Sequence, residues 1–320
     1  MTAPVARRRA TLLSVVVPAY NESESLPVLI ARLDAVLRGM GPHEILVVDD
    51  GSTDGTLALL RELSGTRPQL RWISLSRNFG HQNALRAGLA EARGECVVSL
   101  DADLQHPPEL IPELVDRWSQ GADIVYTVRS DLNTPWIKRI TAGWYYRLLA
   151  TLSDHPPERG TADFRFLDRR VVNVVNDLAE SALFLRGVMP WVGFTQSLVN
   201  YQPPDRYAGE SKYTPLKMLR LALHGVTATS IRPLFLASMV GFFVSLFAIA
   251  FAVYAAYIRL VQGTAISGWA SVIIFVGMLG GAQLLMIGIL GAYLGQVLRE
   301  VQRRPPYVIK EQSQSPPRDG

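Results

Sequence analysis

The sequence contains little cysteine and little charge. One cysteine in 320 residues allows no intrachain disulfide, so nothing points to an oxidised extracellular scaffold. Charged residues make up 19% of the chain and hydrophobic residues 48%, which excludes a disordered chain and is unusual for a soluble one. The net charge of +4 is too small to favour nucleic acid as a partner. We therefore expect a cytosolic face and a part of the chain in lipid.

Two common nucleotide-binding motifs are also absent. The sequence has no Gly-x-x-x-x-Gly-Lys loop, and no Gly-x-Gly-x-x-Gly follows a strand-like run, which argues against ATPases and dehydrogenases. The histidines have neither zinc-site nor nucleophile-triad spacing, and the cysteine has no metal-motif partner. No catalytic role is therefore assigned to His81, His106, His155, His224 or Cys96.

Short β-branched runs alternate with helical patterns from Leu13 to Thr127. The runs are Ser14 to Val17, Glu44 to Val48, Arg71 to Leu75, Cys96 to Leu100 and Asp123 to Val128. Apolar residues recur at helical spacing between them, over Ser25 to Arg38, Thr56 to Leu63, Gln82 to Ala92 and Pro108 to Trp118. This alternation predicts an α/β fold with a mostly parallel sheet.

Two long uncharged stretches follow, at Leu234 to Ile258 and Trp269 to Leu298. At about 1.5 Å per residue each exceeds a hydrocarbon core of roughly 30 Å, which predicts transmembrane helices near 234–258 and 269–295. Basic residues flank the outer ends, namely Lys217, Arg220 and Arg232 before the first stretch and Arg299, Arg303, Arg304 and Lys310 after the second. The bias of basic residues towards the inner face places both termini in the cytoplasm.

Some segments leave two interpretations open. Trp136 to Leu149 and Pro215 to Ser230 mix apolar and basic residues, which suits helices along a membrane surface or, chiefly for the first, a helix packed on the sheet. The second span carries small-xxx-small pairs at Gly277 with Gly281 and Gly291 with Gly295. These pairs suit packing within the hairpin or contacts between copies, and we expect a homo-oligomer.

Asp101-Ala102-Asp103 follows the run Cys96 to Leu100, at the carboxyl end of the predicted parallel sheet. Ligands of open α/β sheets bind at that edge. A lone Asp-x-Asp is expected roughly once by chance in a chain of this size, so its position carries the argument. Two such carboxylates can hold Mg²⁺ or Mn²⁺ that takes its other ligands from water and substrate phosphates. The alternative is an Asp-rich turn that caps the next helix.

Two further strand ends carry polar motifs, Pro18 to Glu22 and Asp49 to Asp54. Asp and Asn at such positions can accept hydrogen bonds from a base or ribose, and Tyr20 can cover an aromatic ring. The parallel sheet therefore predicts that acidic and amide groups from three strands converge at one edge.

These motifs, together with Arg77 to Gly80 and Asp101 to Pro108, resemble the family 2 glycosyltransferases of GT-A fold. Asp163-Phe164-Arg165, Phe184 to Gly187 and Arg206 to Tyr213 resemble the polyprenyl-phosphate glycosyltransferases, a group that includes dolichol-phosphate mannose synthases. The bactoprenol glucosyl transferases are the nearest branch. The resemblance covers about residues 14–298 and includes the two-span tail.

The resemblance implies three groups of site residues. It implies that the donor is contacted by Pro18, Tyr20, Asn21, Glu22, Asp50, Asp101, Ala102 and Asp103. It implies that the metal is held by Asp101, Asp103 and Gln105. The acceptor phosphate is expected to be bound by Arg129, Arg206, Ser211 and Lys212. Other roles are open for some of them, since Glu22 also suits a helix cap, Arg129 a pair with Asp131, and Lys212 a lipid headgroup. Asp163 joins Asp101 and Asp103 as a catalytic candidate, as a base or an acceptor-orienting group, unless it only bonds Arg165 or Arg169.

The resemblance also implies a function and a layout. The function is inverting transfer of a sugar, with glucose from a UDP-sugar expected, to polyprenyl (undecaprenyl) phosphate, which makes a lipid-linked sugar donor for cell-envelope glycan or protein glycosylation. Other sugars on the same acceptor, such as mannose, N-acetylglucosamine, galactose or 4-amino-4-deoxyarabinose, and a non-catalytic nucleotide-sugar-binding scaffold are the alternatives. A processive synthase is disfavoured because no Gln-x-x-Arg-Trp motif is present. The layout is a basic tail at 1–12, a catalytic domain at 13–213, an interfacial helix at 214–232, two spans within 233–298 and a cytoplasmic tail at 299–320.

Overall fold

One mixed sheet organises the first part of the chain in the computed structural model. The structure describes residues 10–129, 161–180, 183, 185–202, 232–262 and 268–313. Within these ranges the strands are β1 Leu13–Ala19, β2 His43–Asp49, β3 Leu70–Leu75, β4 Cys96–Ser99, β5 Ile124–Arg129, β6 Thr161–Asp168, β7 Gln196–Tyr201 and β8 Ile309–Gln312. Their order across the sheet is β7-β5-β6-β4-β1-β2-β3-β8. Only β6 and β8 run antiparallel to their described neighbours, which confirms the mostly parallel α/β prediction.

Helices connect the strands and cover both faces of the sheet. They are α1 Leu26–Leu37, α2 Thr56–Thr66, α3 His81–Glu91, α4 Ile111–Ser119 after a 3₁₀ turn at Pro108–Leu110, α5 Arg169–Asp177 and α6 Leu185–Trp191. Helices α1 and α4 pack into one apolar cluster, and α3 and α5 into the other. Gly88 brings α3 close to β1, because a Cβ there would lie 2.2 Å from Val16 Cγ1. This packing fixes the start of α3 against the sheet.

Strand β6 is one of the elements that the sequence pattern did not reveal. It lies between β4 and β5 and pairs antiparallel with both. The alternation Asp163-Phe164-Arg165-Phe166 places two charged side chains in the sheet interior, so the strand lacks the apolar signature of a buried one. Ser99 Oγ donates to the Asp163 carbonyl oxygen at 2.7 Å. Asp163 is thereby brought beside the end of β4.

Strand β8 comes from a segment that the sequence assigns to the C-terminal tail. It pairs with β3 through Ile73 with Gln312 and Ser74 with Glu311. The run Ile309–Gln312 is short and half charged, which explains why composition alone gave no strand signal. The chain after the last long helix therefore returns to the sheet.

The remaining described residues form a second compact unit of two long helices. Helix α7 covers Arg232–Tyr257 and continues as a π-helical turn over Ile258–Gln262, and α8 covers Trp269–Gln302. Segments Ala237–Tyr254 and Phe275–Gln302 are long and apolar enough to cross a membrane by length and composition. Hardly any residue of these two segments is buried in protein, whereas the core helix of a soluble protein is mostly buried.

The two long helices contact each other through aromatic and small residues. The rings of Phe251 and Phe275 lie 4.8 Å apart, and a Cβ at Gly241 would lie 2.9 Å from Met286 Cε. By contrast, no described side chain or neighbouring backbone lies within 4 Å of a Cβ placed at Gly277, Gly281, Gly291 or Gly295. Those four glycines therefore do not form the described hairpin contact.

A buried ion pair at the opposite edge of the sheet gives a stability prediction. Glu44 Oε2 accepts from Arg71 Nη1 at 2.7 Å, and Glu44 Oε1 accepts from Ser14 Oγ at 2.5 Å. We expect Glu44→Ala to destabilise the sheet unit by about 3–5 kcal/mol, because it leaves the Arg71 charge buried and unpaired. The matched change Glu113→Ala removes an exposed i,i+4 pair and should cost less than about 1 kcal/mol. Thermal unfolding in detergent measures both, and equal shifts in Tm would contradict this assignment.

Candidate active site

The carboxyl ends of β1, β2 and β4 meet at one edge of the sheet, as the sequence predicts. The first of them carries Pro18, buried at the end of β1, and Tyr20, a residue that is 41% exposed. Asn21 has a left-handed φ of +56°, and its Oδ1 accepts the Thr53 N–H at 2.8 Å. Glu22 Oε2 accepts from Ser25 Oγ at 2.5 Å, next to the start of α1. Asn21 and Glu22 thus bind the protein's own loops, and Tyr20 is the exposed aromatic ring.

The end of β2 fixes the neighbouring loop. Asp50 Oδ1 accepts the Phe79 N–H at 2.7 Å, and Asp50 Oδ2 accepts the Gly80 N–H at 2.9 Å. Burial raises the pKa of the Asp50 carboxyl, although both N–H groups act in the opposite direction. Both oxygens of Asp50 are therefore engaged by the turn that begins α3. A nucleotide contact of Asp50 stays a prediction.

Gly51 explains how tightly this turn fits. Its φ is +67°, and a Cβ at this position would lie 2.4 Å from the Arg77 carbonyl carbon. A left-handed conformation with backbone at that distance requires glycine. The motifs after β2 and after β3 are thereby packed directly on each other.

The Asp-x-Asp motif forms a tight turn after β4. The Asp101 N–H donates to His106 Nδ1 at 3.0 Å, and Asp103 Oδ1 accepts the Gln105 N–H at 3.1 Å. Between them Ala102 is buried and Leu104 has a left-handed φ of +62°. Neither carboxylate caps the helical turn at Pro108–Leu110 or α4, so the capping alternative is not observed.

One oxygen of Asp101 is the unsatisfied acceptor of this turn. Asp101 Oδ1 is buried and accepts no hydrogen bond from any residue that the structure describes. Burial raises the pKa of Asp101, and the carboxylates of Asp163 and Asp103 add to this, while His106 and His81 oppose it. A buried carboxylate oxygen without a donor costs free energy unless a cation or hydroxyl occupies the position. The turn therefore fits a divalent cation or a ligand hydroxyl.

Asp163 is held by arginines beneath the same edge. Arg165 Nη2 donates to Asp163 Oδ1, and Arg186 donates twice, from Nε to Oδ1 at 3.1 Å and from Nη2 to Oδ2 at 2.7 Å. Burial opposes the charged form, but the contact with His81 and the charges of Arg165 and Arg186 outweigh it. The pKa of Asp163 is held well below its ordinary value. Of the alternatives for Asp163, the structure contains the bond to Arg165; Arg169 instead donates to the Ala92 and Gly94 carbonyls.

His81 joins the two acidic positions. Its Nε2 lies 3.5 Å from Asp101 Oδ1 and 3.5 Å from Asp163 Oδ2. Burial lowers the pKa of His81, but the contact with Asp163 and the charges of Asp101 and Asp163 outweigh it, so the net shift is upward. No role was predicted for His81 or His106, because histidine spacing along the chain matches neither a zinc site nor a nucleophile triad. Here the contacts form across strand ends, and His106 also stacks on Phe164 with ring centroids 5.4 Å apart.

The predicted phosphate and metal residues are only partly within the described residues. Arg129 ends β5 at an exposed position, and its Nη1 donates to Gln105 Oε1 at 3.4 Å, so these two lie together. Arg206, Ser211, Lys212 and Asp131 lie outside the described residues, as do Trp136 to Leu149 and Pro215 to Ser230. Among the residues described, no three His, Cys, Asp or Glu side chains are arranged to hold a metal. A metal at Asp101 and Asp103 would therefore need ligands from substrate or water.

The chain is similar in sequence to known glycosyltransferases. The family model described as Glycosyl transferase family 2 matches residues 14–171. An uncharacterized glycosyltransferase of Synechocystis sp. is 40% identical over 301 residues, which cover 93% of this chain and 95% of that protein. A bactoprenol glucosyl transferase derived from the SfII prophage of Shigella flexneri is 38% identical over 308 residues, 95% of this chain and 99% of that protein. The crystal structure of glucosyl-3-phosphoglycerate synthase from Mycobacterium tuberculosis with Mn²⁺, UDP-glucose and phosphoglyceric acid has a TM-score of 0.47 and 19% identity, covering 68% of this chain and 78% of that chain.

The family match and the relatives show that the chain is a glycosyltransferase, and its mostly parallel sheet with the acidic turn at the strand ends is of GT-A fold. The relatives, similar over nearly their whole length, show which one: the chain belongs to glycosyl transferase family 2. The resemblance to the bactoprenol glucosyl transferases within that family is confirmed.

Proposed function

We propose that this enzyme transfers one sugar from a nucleotide diphosphate sugar to polyprenyl phosphate. The observation that carries the proposal is the site itself, where the unsatisfied Asp101 Oδ1 lies 3.5 Å from His81 and Asp163 binds Arg186. Transfer of a sugar from a diphosphate to a phosphate requires two kinds of group: carboxylates that hold a cation, and an arginine that binds an anion. The 38% identity to a bactoprenol glucosyl transferase supports the polyprenyl acceptor.

The expected donor is UDP-glucose. The relatives' name supports glucose, whereas mannose, N-acetylglucosamine, galactose and 4-amino-4-deoxyarabinose remain the alternatives. Discrimination among these sugars depends on hydrogen bonds to individual hydroxyl groups. A panel of UDP- and GDP-sugars with a short polyprenyl phosphate tests this directly. We expect acceptor-dependent release of UDP from UDP-glucose, and release from a different donor alone would replace the sugar but keep the reaction class.

The proposed metal is Mg²⁺ or Mn²⁺, held by Asp101 and Asp103 with Gln105 in support. When bound, a divalent cation offsets the negative charge that develops on the leaving diphosphate. The protein contributes the two carboxylates, and the Asp101 N–H to His106 bond holds their turn in place. Tyr20, exposed at the end of β1, is proposed to cover the base of the donor.

The acceptor needs little proton transfer. A phosphomonoester has a second pKa near about 6, so it is mostly dianionic at neutral pH and can attack without a protein base. Asp163, with its depressed pKa, binds protons weakly and is a poor base near neutrality. We propose that Asp163 orients its arginine and histidine neighbours. Catalysis then rests on positioning and charge.

The proposed location is the cytoplasmic membrane, with the sheet and both termini in the cytoplasm. Helices α7 and α8 are long enough to cross twice, and their apolar side chains are exposed. Strand β8 follows α8 yet pairs with β3, which precedes α7, so an even number of crossings suits the sheet. The basic flanks favour the cytoplasmic side. We also propose a homo-oligomer, for which the glycines of α8 that face no described residue offer close approach.

Thiol labelling tests this topology. We expect cysteines at Ser267 and Ser315 to react with an impermeant reagent from opposite sides of the membrane. Ser315 is chosen because Ser313 Oγ already accepts the Trp72 N–H at 3.1 Å. The native thiol should stay silent, since burial raises the pKa of Cys96 to about 12. Labelling of both positions from one side would refute the two-span arrangement.

A further inference from the structure

The chain after α8 supports the connection between β3 and α3 at the β3 end. Arg77 to Gly80 lie in this connection and are called the β3–α3 turn below. Strand β8 pairs with β3, and next to that pairing the Ser76 N–H donates to the Val308 carbonyl oxygen at 2.9 Å. Residues 305–313, called the C-terminal segment below, therefore hold the chain as far as the residue before the turn.

The same segment packs towards the helix at the other end of the turn. Tyr307 contacts the apolar cluster to which Leu85 of α3 belongs. Burial raises the pKa of the Tyr307 hydroxyl, the charge of Glu91 adds to the rise, and Arg86 opposes it. Because Arg86 and Glu91 both belong to α3, Tyr307 lies on the side of that helix. The C-terminal segment thus supports both elements that the β3–α3 turn connects.

The β3–α3 turn connects this support to the candidate active site. The N–H groups of Phe79 and Gly80 donate to the two carboxylate oxygens of Asp50. The helix that begins after the turn places His81 Nε2 3.5 Å from Asp101 Oδ1. A shift of the turn would therefore displace both the end of β2 and the imidazole beside the Asp-x-Asp turn. A misplacement of about 1 Å in a catalytic site can lower the rate about 10²-fold.

We propose that the C-terminal segment positions the β3–α3 turn for catalysis and that Tyr307 is its main positioning residue, acting through packing. The order of the described strands supports this role, because β3 would be the edge strand without β8 and would leave backbone groups unpaired. The inference gives the chain after α8 a part in the activity of the sheet unit. Its kinetic consequences rest on the proposed function, whereas its effect on the turn does not.

Amide hydrogen exchange tests the positioning without an assay of sugar transfer. A chain that ends at Pro306 lacks Tyr307 and β8, and we expect the amides of its β3–α3 turn to exchange about 10-fold faster, because lost pairing and packing favour local opening. Helix α4, which belongs to the other apolar cluster, should keep its wild-type exchange. The matched control ends at Ser313, keeps the C-terminal segment and should exchange like wild type. Unchanged exchange in the turn would overturn the proposal.

Steady-state kinetics of full-length Tyr307→Ala measure the effect on the reaction, with UDP-glucose or the donor that the panel identifies. Well below the Tm of the variant, we expect kcat/KM for the donor to fall about 10- to 100-fold. The KM for the acceptor should change less than about twofold. Tyr307→Phe keeps the ring that packs towards α3 and should restore wild-type kinetics.

The full-length variants also decide the case in which the shorter chain exchanges faster throughout, α4 included. A lower Tm of Tyr307→Ala with unchanged kcat/KM would mean that the C-terminal segment only stabilises the sheet, and this would overturn the proposal. Equal losses in Tyr307→Ala and Tyr307→Phe would also overturn it, because the effect would then come from the hydroxyl and not from packing. If wild-type enzyme transfers no sugar to polyprenyl phosphate with any donor of the panel, the proposed function itself fails, while the exchange measurement still tests the positioning.

Discussion

Asp101→Asn is expected to lower kcat/KM by about 10²- to 10³-fold, the scale of a lost electrostatic group at a transition state. The amide keeps the size of the side chain but removes the charge that would hold a divalent cation against the leaving diphosphate. Titration with Mg²⁺ and Mn²⁺ should show that turnover of this variant depends less on metal. High metal concentrations should not restore wild-type turnover. Near-normal turnover with an unchanged metal dependence would contradict the site assignment.

The same variant should not lose stability. Folding raises the pKa of Asp101, chiefly through burial, which means that the folded state disfavours its charged form. At a pH above both pKa values, a neutral amide removes that unfavourable charge, so the thermal midpoint should stay equal or rise. Asp116→Asn, on the exposed surface of α4, is the control for both measurements. Activity lost without a fall in Tm is the expected mark of Asp101.

Asp163→Asn should lose both activity and stability. The change leaves the buried Arg165 without its carboxylate, which costs about 3–5 kcal/mol, and it releases Arg186 from a fixed orientation. The depressed pKa of Asp163 has the matching sign: its stabilisation is present at neutral pH and is lost as pH falls towards the folded pKa. Thermal unfolding of the detergent-solubilised variant beside Asp101→Asn measures this contrast.

The pH profile separates positioning from base catalysis at Asp163. We expect kcat/KM for the acceptor to rise through about pH 6 in wild type, following the second ionisation of the phosphate. Residual activity of Asp163→Asn should show the same rise at lower amplitude. If the variant lost the acidic limb that wild type retains, Asp163 would be the general base.

The sequence predicts the first half of the fold well, because apolar strands and amphipathic helices alternate from Leu13 to Thr127. It also locates the Asp-x-Asp turn, since a parallel strand must end where Asp101 begins. Strand β6 escapes this reasoning because it buries Asp163 and Arg165 as a charged pair, which no hydrophobic pattern reveals. Strand β8 escapes it because its stability comes from pairing with β3, far away in sequence.

The site, like the fold, could be predicted from the sequence only in part. Sequence motifs indicate which residues gather at the edge, but not whether they bind ligand or protein. The side chains of Asn21 and Asp50 hold neighbouring loops. His81 directly follows the Arg77 to Gly80 motif, and Arg186 lies within Phe184 to Gly187, so both were near a signal. Their contacts with Asp163 depend on how α3, β6 and α6 meet, which spacing along the chain does not encode.

The measurement that tests the central claim most directly is product analysis with wild-type enzyme, UDP-glucose, a divalent metal and a short polyprenyl phosphate. Mass spectrometry should find glucosyl polyprenyl phosphate and UDP in equal amounts, and neither should accumulate when the acceptor or the metal is omitted. UDP formed at the same rate without acceptor, or a lipid product that carries no sugar, would contradict the proposed transfer.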